Sequence, residues 1–256
     1  MNQSERAQLF ARLHVKGDPL VLFNVWDAGS AKAVESIGAQ ALATGSWSVA
    51  AADGYVDAES IPLDTLLANL RRIVACVTLP VSLDFEGGYA RQPADLQANI
   101  TQVIEAGAIG INFEDQVVGG EGLYSVEEQV TRIAALRQAA DQAGVPLFIN
   151  ARTDIFLQAP PEQHSDAHLE AAIRRAHAYA EAGGSGFFAP GLADAARIER
   201  LCAESPLPVN IMFLPYAPAP RQLAELGVAR ISYGPRPYRL VIEALKEAGR
   251  KALALE

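Results

Sequence analysis

Acidic side chains follow several apolar, strand-like stretches of this 256-residue sequence. The stretch PVSLDFEGGYA (80–90) carries Asp84 and Glu86, and FEDQ further along carries Glu114. Residues i and i+2 of a strand point to the same side, so Asp84 and Glu86 are expected to face one site. Several acids at one site repel each other unless a cation neutralises them. Oxygen ligands suit Mg²⁺ or Mn²⁺, so the predicted chemistry is that of a divalent metal ion.

A second set of polar residues ends another apolar stretch, in the sequence TGS. Thr44, Gly45 and Ser46 could present backbone N–H groups and hydroxyls to a carboxylate or an enolate oxygen. The alternative for these three residues is a plain turn from a strand into a helix. In a parallel α/β barrel the active site lies at the carboxyl ends of the strands, where these residues are expected.

Arg152, in the stretch FINARTD, is a cation at a predicted strand end. A guanidinium in that position suits bidentate binding of a substrate carboxylate. A salt bridge to Asp154 or Glu114 is the alternative, and Asp154 is expected to have a structural role. Asp27, which follows the first predicted strand, is expected to cap the next helix.

Lysine, histidine and cysteine are absent from the predicted strand ends. The four lysines and four histidines lie in other segments, which argues against a Schiff-base lysine, a histidine-based triad and a histidine-ligated zinc ion. The two cysteines, Cys76 and Cys202, lie in helix-like segments without a CxxC spacing, and we expect them to be buried thiols.

Short apolar stretches alternate with helix-like segments along the whole chain. Such alternation predicts parallel strands joined by right-handed crossovers. Eight units favour a closed (β/α)8 TIM-type barrel, as a single domain over residues 1–256, rather than an open doubly wound sheet. Neither a GxGxxG fingerprint nor a P-loop supports the open sheet. The predicted strands are 21–27, 41–46, 80–86, 110–116, 147–154, 186–191, 209–215 and 229–234.

Composition argues against several classes of partner. The formal net charge is -9 and the sequence has no basic cluster, so nucleic acid is not an expected partner. No apolar run reaches membrane-spanning length, and the polar, amphipathic N-terminal stretch does not resemble a signal peptide. We therefore expect a soluble, cytoplasmic protein that does not contact a membrane.

Five motifs, in this order, resemble those of the phosphoenolpyruvate mutase/isocitrate lyase superfamily: NVWDAGSA, TGSWSVAAADGYVD, PVSLDFEGGY, AGAIGINFEDQ and FINARTD. The resemblance covers nearly the whole chain. It implies a (β/α)8 barrel that binds Mg²⁺ and a small 2-oxo mono- or dicarboxylate, and that acts on a C–C or P–C bond through an enolate-like intermediate. It also implies a homo-oligomer, a tetramer or a dimer, in which the last helix is exchanged between subunits.

On this resemblance, four acids hold the metal ion. Asp84 would ligate Mg²⁺ or Mn²⁺ directly, while Asp57, Glu86 and Glu114 would hold its water molecules. Through the ion, Asp84 would also contribute to the substrate site. Asp57, Glu114 and Arg152 are the expected catalytic residues.

The resemblance also implies a substrate site. Gly45 and Ser46 would bind the carboxylate or the oxo group through backbone N–H groups, with the Thr44 hydroxyl nearby. Arg152 would pair with a substrate carboxylate, and Asn210 would reach the substrate from the seventh strand. The side chains that could shape the rest of the pocket are Trp47, Tyr55, Phe113, Ile211 and Phe213.

The sequence departs from this superfamily after the fourth predicted strand. Lyases of the superfamily carry a mobile loop there with a Lys-Lys/Arg-Cys core, whereas EDQVVGGEGLYSVEEQ is shorter and has neither lysine nor cysteine. The glycines of this loop, Gly119, Gly120 and Gly122, still suit a flexible lid. A glutamate that follows the sixth strand of the lyases is also missing, since Pro190 and Gly191 stand there.

Both departures argue against an isocitrate or methylisocitrate lyase, and against a phosphonate mutase. We therefore predict a Mg²⁺-dependent decarboxylase or retro-aldol lyase, because such reactions need little beyond a metal ion and an electron sink. Water, Tyr124 or Glu121 would deliver the proton. Two alternatives stay open: a 2-oxo-acid-binding protein with little or no catalysis, and a hydrolase that acts on C–C bonds of the oxaloacetate type.

Overall fold

Eight parallel β-strands form the centre of the molecule, and α-helices surround them. The computed structural model describes residues 1–253 of the chain. The strands are β1 Leu20–Leu22, β2 Leu42–Ala43, β3 Val81–Asp84, β4 Gly110–Glu114, β5 Phe148–Arg152, β6 Gly186–Phe188, β7 Val209–Met212 and β8 Arg230–Ser232. The α-helices are α1 Gln3–Arg12, α2 Ala28–Ser36, α3 Ser46–Ala52, α4 Leu63–Cys76, α5 Pro93–Glu105, α6 Val126–Gln142, α7 Asp166–Glu181, α8 Ala195–Glu204, α9 Pro220–Glu225 and α10 Arg236–Ala252.

The sheet closes on itself, because strands that follow one another in the chain lie side by side and β8 pairs with β1. A bridge outside the named strands joins the ends of β1 and β2. There the N–H of Val25 donates to the carbonyl of Ala43 at 2.9 Å, and the N–H of Gly45 donates to the carbonyl of Val25 at 3.2 Å. The predicted (β/α)8 barrel is therefore confirmed.

Every strand is shorter than predicted, mainly at its carboxyl end. The apolar run PVSLDFE predicted a strand that extends to residue 86, but β3 ends at Asp84 and Glu86 has a φ of +49°. Phe85 is fully buried although it lies outside the strand, so an apolar residue here indicates burial rather than strand pairing. After β2 the chain enters α3 at Ser46, a helix that the sequence did not predict.

Helix α1 covers the amino-terminal end of the barrel. Gln3 donates to the carbonyls of Ile104 and Ala108, at 2.7 and 2.9 Å. Phe10 is fully buried, and its ring centroid lies 5.3 Å from that of Phe148 at the start of β5. A ligand therefore has to approach from the opposite end, where the strands terminate.

A layer of polar side chains crosses the barrel interior. Asn150 donates to the side-chain oxygen of Asn112 at 2.9 Å, and the Arg230 guanidinium donates to the same oxygen at 3.1 Å. The Ser232 hydroxyl donates to the side-chain oxygen of Asn210 at 3.1 Å. Buried polar groups need such partners, and together they support the residues at the open end of the barrel.

Helix α10 has little cover in the described part of the chain. Pro237 is its buried residue, whereas Leu240, Val241 and Leu245 are 52%, 51% and 65% exposed. Exchange of this helix between subunits stays a prediction.

The structure also shows the surroundings of Asp27 and of the two cysteines. Asp27 caps α2 as predicted, since its carboxylate accepts the N–H of Ser30 at 2.7 Å. Cys202 is buried as expected, whereas Cys76 is only partly buried. Across residues 1–253, none of the helices combines the length and the apolar character needed to cross a bilayer.

Gly88 is expected to be essential for packing the turn after β3. Its φ is +84°, and a Cβ at this position would overlap Leu96 and lie 3.0 Å from Phe113. Gly88→Ala should therefore lower the free energy of unfolding by about 2–4 kcal/mol, through overpacking and backbone strain. Urea denaturation measures the loss.

Gly119→Ala is the matched control. Gly119 also has a positive φ, +68°, but nothing lies within 4 Å of its Cβ position, so the expected loss is about 1 kcal/mol. Equal losses in the two variants would mean that backbone conformation alone, and not packing against Leu96, requires glycine at residue 88.

Candidate active site

A pocket of about 170 Å³ lies at the carboxyl ends of the strands. Its polar or small lining residues are Asn24, Gly45, Ser46, Asp57, Asp84, Asn112, Arg152, Ser232 and Gly234. Its apolar lining residues are Trp47, Leu157, Phe188, Pro190, Met212 and Pro235. Of the residues expected at the site, Gly45, Ser46, Asp57, Asp84 and Arg152 line this pocket, while Thr44, Glu86, Glu114 and Asn210 do not.

Asp84 is held in place at the end of β3. The N–H of Ser46 donates to its Oδ2 at 2.9 Å, and the side-chain amide of Asn112 donates to its Oδ1 at 3.2 Å. Its own N–H donates to the Thr44 hydroxyl at 2.9 Å, so Thr44 positions Asp84 instead of lining the pocket. A carboxylate oxygen keeps further lone pairs after accepting one bond, so Asp84 can still bind a cation from the pocket.

The backbone N–H groups of the turn after β2 have different acceptors from those predicted. Gly45 donates its N–H to the carbonyl of Val25 in the bridge that closes the barrel, and Ser46 donates its N–H to Asp84. Neither group is free for a substrate. Trp47, which also lines the pocket, has a first-turn N–H without an acceptor inside α3. The available donor of this turn is therefore one residue further along the chain than predicted.

Two further acids add negative charge around Asp84. Asp57 lines the pocket from the solvent side, and burial together with the Asp84 carboxylate raises its pKa. Burial, with the charges of Asp84 and Asp57, raises the pKa of Glu86 to about 8. Glu86 does not line the pocket, because its left-handed backbone conformation breaks the strand alternation on which the prediction depended. Its Oε2 instead accepts the N–H of Glu59 at 2.9 Å.

Backbone strain is concentrated beside these acids. Among residues 1–253, the non-glycine residues with positive φ are Ala58, Glu59, Glu86 and Tyr89, with values of 71°, 56°, 49° and 56°. The Glu59 carboxylate joins the two strained segments, since its Oε1 accepts the N–H of Tyr89 at 2.8 Å. Strain of this kind is often retained at functional sites.

Arg152 is clamped by two carboxylates. Its Nε and one terminal nitrogen donate to Asp154 at 2.5 and 2.8 Å, and the other terminal nitrogen contacts Glu114 Oε2 at 2.8 Å. Both salt bridges that the sequence left as alternatives are therefore present. A guanidinium has five N–H donors, of which these contacts use three, so two remain for a ligand.

Electrostatics stabilise this charged group. Burial opposes charge on Arg152, but Glu114 and Asp154 raise its pKa above the ordinary value. Burial also raises the pKa of Glu114, and Arg152 counteracts that effect. Asp154 therefore orients Arg152, in agreement with the structural role that we expected for it.

Asp115, the neighbour of Glu114, points away from the pocket. Its carboxylate accepts hydrogen bonds from Arg175 at 3.0 Å, Tyr179 at 2.8 Å and the N–H of Asp154 at 2.9 Å. Asp115 thus attaches the end of β4 to α7. The adjacent acids of FEDQ have different roles because consecutive residues of a strand face opposite sides.

Asn210 lies in the barrel interior and not in the pocket lining, contrary to the expectation. Its side-chain oxygen accepts the Ser232 hydroxyl, and its side-chain nitrogen has no partner among the described residues. The pocket residue contributed by β7 is Met212, two positions further along. The sequence indicated the correct face of the strand but not the depth at which the pocket ends.

Two asparagines and a buried arginine at the site were not predicted from the sequence. Asn24 donates to the carbonyl of Thr44 at 2.9 Å, and its side-chain oxygen accepts the N–H groups of Tyr233 and Gly234 at 2.9 Å. It thereby joins the ends of three strands. A polar amide inside an apolar strand-like run, as in LFNVW and GINFE, is the signal that could have identified Asn24 and Asn112.

Arg230, at the start of β8, is fully buried beneath the pocket. Burial lowers its pKa to about 9, although the Asp84 carboxylate opposes the shift. Its guanidinium donates to Asn112, which in turn donates to Asp84. Arg230 therefore supports the acidic site indirectly, through an amide.

The other expected pocket-shaping residues are mostly elsewhere. Trp47 lines the pocket. Phe113 and Ile211 are fully buried core residues, Tyr55 is exposed, and Phe213 lines a neighbouring apolar groove beside α10.

The donor set suits a hard divalent cation held mainly through water. Across residues 1–253, no three His, Cys, Asp or Glu side chains converge closely enough to hold a metal ion by themselves. Mg²⁺ characteristically uses one or two carboxylates and keeps several water molecules. One anchored carboxylate, Asp84, with acids whose pKa values are raised by crowding and burial, fits that mode of binding.

Comparison with known proteins identifies the family. The family model described as phosphoenolpyruvate phosphomutase matches residues 10–253. The uncharacterised protein Rv1998c of Mycobacterium tuberculosis is 34% identical over 94% of this chain and 87% of that protein. The 2-methylisocitrate lyase of Escherichia coli is 29% identical over 82% of this chain and 70% of that protein.

The chain belongs to the phosphoenolpyruvate mutase/isocitrate lyase superfamily. A crystal structure of a candidate phosphonomutase from Burkholderia cenocepacia J2315 is 50% identical, covers 98% of this chain and all of that one, and superposes with a TM-score of 0.96. The matching family model is described as a phosphomutase, and the similar proteins include a 2-methylisocitrate lyase and an oxaloacetate decarboxylase. One structurally similar protein, a phosphonopyruvate hydrolase, was solved with oxalate and Mg²⁺; it is 22% identical, with a TM-score of 0.82 over 97% of this chain and 88% of that one. At that identity the likeness shows the fold alone.

This superfamily member has a compact loop after β4. The N–H of Val117 donates to the carbonyl of Gly122 at 3.0 Å, and the N–H of Tyr124 donates to the carbonyl of Asp115 at 2.8 Å. The Tyr124 ring lies 4.1 Å from the Arg132 guanidinium. Neither Tyr124 nor Glu121 lines the pocket, so the structure brings neither of these expected proton donors to the site.

Asp154→Asn tests how strongly the clamp on Arg152 is held together. The variant keeps the size of the side chain but removes the charge that accepts two guanidinium bonds in a fully buried position. Breaking a buried ion pair typically costs about 3–5 kcal/mol. We expect a loss of that size in the free energy of unfolding, measured by urea denaturation.

Asp166→Asn provides the matched surface control. The Asp166 side chain is 80% exposed and lies 3.3 Å from Arg197, and surface pairs contribute about 0–1 kcal/mol. A loss below about 1 kcal/mol in Asp154→Asn as well would contradict the role of Asp154 as a buried counter-charge.

Proposed function

We propose that this protein is an Mg²⁺- or Mn²⁺-dependent enzyme that binds a small 2-oxo carboxylate and cleaves or forms a C–C (or P–C) bond through an enolate-like intermediate. The observation that carries the proposal is the anchored carboxylate of Asp84, which lines a small pocket together with Asp57 and Arg152. Membership of the superfamily supports it. Within this class, a lyase or decarboxylase agrees best with the residues present.

Asp84 is the direct metal ligand in this proposal, and Asp57, Glu86 and Glu114 hold the water molecules of the ion. Burial and neighbouring carboxylates raise the pKa of each of these three acids. A nearby cation would favour their charged forms. When bound, the ion would polarise the 2-oxo group and stabilise the negative charge that develops on the substrate.

The protein's own groups bind and orient the substrate. Arg152 has two N–H donors left for a substrate oxygen, and its clamp fixes their direction. Trp47 can add its backbone N–H from the first turn of α3. Arg152 and Asp57 line the pocket and are the catalytic residues that we propose, while Glu114 positions Arg152 from outside the pocket lining. Such fixed geometry reduces the entropy lost when the reaction begins.

Decarboxylation and retro-aldol cleavage agree best with the side chains that are absent from the loop after β4. The loop after β4 has no lysine or cysteine in the sequence, and its Tyr124 and Glu121 do not line the pocket. In both reactions the electron pair of the broken bond moves into the neighbouring carbonyl group, which becomes an enolate, so they require few side chains beyond the metal site. Similar proteins include a 2-methylisocitrate lyase and an oxaloacetate decarboxylase.

We also infer a homo-oligomer, a dimer or a tetramer, in a protein of the cytoplasm. The exposed apolar side chains of α10, Leu240, Val241 and Leu245, support an intersubunit contact. The molar mass in solution decides between the oligomer sizes.

Asp84→Asn tests the proposed reaction. The variant removes the charge of the metal ligand, so kcat/KM on a panel of 2-oxo and 2-hydroxy mono-, di- and tricarboxylates with Mg²⁺ should fall by at least about 100-fold. Asp64→Asn, at an exposed position in α4, is the control and should keep the wild-type rate. Thermal unfolding of both variants verifies that they are folded.

The products distinguish the related activities. Carbon dioxide as a product indicates a decarboxylase. An aldehyde, a ketone or a 2-oxo acid, released together with a second carboxylic acid, indicates a retro-aldol lyase. Two carboxylic acids without such a carbonyl compound indicate a hydrolase. Mg²⁺-dependent binding of oxalate without turnover across the panel would favour a binding protein instead. Equal turnover by wild type and Asp84→Asn would refute the proposed role of the metal site.

A further inference from the structure

The pocket has two chemically different walls. The acidic side comes from β3 and β4, through Asp84 and Asn112. In an eight-stranded ring, β7 and β8 lie across the barrel from β3 and β4. The apolar residues that line the pocket are Trp47, Leu157, Phe188, Pro190, Met212 and Pro235. Four of these follow or end β6, β7 and β8, so the wall opposite the metal-binding acids is mainly apolar.

Met212 is fixed in this apolar wall. A Cβ on Gly234, which has a φ of +52°, would lie 2.8 Å from the Met212 sulfur. The glycine after β8 therefore leaves room for the thioether next to the pocket. Pro190 contributes neither a backbone N–H nor a polar side chain, so the loop after β6 offers an anion no donor at this residue.

Positive charge is scarce in the pocket. Among the described residues that line it, Arg152 is the only cation, and Glu114 and Asp154 already balance its charge. Two other arginines line the neighbouring groove beside α10, which shares Met212 and Pro235 with the pocket, and each of them stacks on an aromatic ring. Arg236 stacks 5.4 Å from the Phe213 ring, and Arg239 stacks 4.6 Å from the Trp47 ring.

We propose that this site selects 2-oxo monocarboxylates whose distal group is uncharged and apolar, over those with a second carboxylate or a phosphonate. The inference rests on the proposed function in its retro-aldol form, in which no second carboxylate has to leave as carbon dioxide. The metal site and the two remaining N–H donors of Arg152 take up the first carboxylate and the oxo group. A distal anion would be buried against Phe188, Pro190 and Met212 without a free counter-charge, which is unfavourable. A distal alkyl group would bury apolar surface there, which is favourable. Met212 is the specificity-determining residue.

A matched pair of ligands tests the preference. The stable acid 5-methyl-2-oxohexanoate has the skeleton of 2-oxoglutarate, with an isopropyl group in place of the distal carboxylate. Calorimetric titration with Mg²⁺ should show that it binds at least roughly tenfold more tightly than 2-oxoglutarate. Oxalate, which has no distal group, is titrated in parallel to report on the metal site alone.

Met212→Arg tests whether Met212 determines the preference for an apolar distal group. The new cation should raise the affinity for 2-oxoglutarate and lower that for 5-methyl-2-oxohexanoate. The ratio of the two dissociation constants should therefore change by at least roughly tenfold in favour of 2-oxoglutarate. Met212→Leu, which keeps the apolar wall, should retain the wild-type preference. Oxalate affinity should change little in either variant, because Met212 lies across the pocket from Asp84.

The outcomes separate the two proposals. If oxalate binds with Mg²⁺ but 2-oxoglutarate binds as tightly as its isopropyl counterpart or more tightly, the selectivity proposed here is overturned and the metal-dependent function stands. Unchanged preference in a folded Met212→Arg variant would overturn the role of Met212. If oxalate does not bind in the presence of Mg²⁺, the proposed function itself fails, and this inference fails with it.

Discussion

The barrel has to keep several negative charges close together at its open end. Asp57, Glu86 and Glu114 all have raised pKa values, because burial and neighbouring carboxylates penalise their charged forms. One cation, Arg152, offsets part of this repulsion through Glu114 and Asp154. The remaining repulsion is the physical reason for proposing a divalent ion at this site.

Much of the surrounding structure holds these charges in place. Asp84 receives hydrogen bonds from α3 and β4, and it donates one to the end of β2. Asn112 is in turn held by Asn150 and the buried Arg230. Groups of the protein alone supply these hydrogen bonds, and such fixed geometry is the property that catalytic and binding sites require. The opposite wall is mainly apolar, with Ser232 as a polar member, so most of the charge lies on one side of this small pocket.

The sequence predicted the barrel and the position of Asp84 at its open end, because both depend on local patterns. Alternation of apolar runs with helical periods identifies parallel strands, and the position of Asp84 directly after such a run places it at the open end of the barrel. Strand ends were less predictable. Phe85 is buried without being part of a strand, so the run PVSLDFE gave no indication that Glu86 would adopt a left-handed conformation. The roles of Gly45 and Asn210 depend on long-range hydrogen bonds, which one sequence does not reveal.

A diffraction experiment on crystals soaked with Mn²⁺ and oxalate tests the central claim most directly, since Mn²⁺ is located by its anomalous signal. We expect one Mn²⁺ peak in the pocket, with an oxygen of Asp84 about 2.1 Å away as its only side-chain ligand and oxalate and water completing the coordination. Asp57, Glu86 and Glu114 should contact those water molecules. A peak bound directly by three or more carboxylates, or a peak remote from Asp84, would contradict the claim.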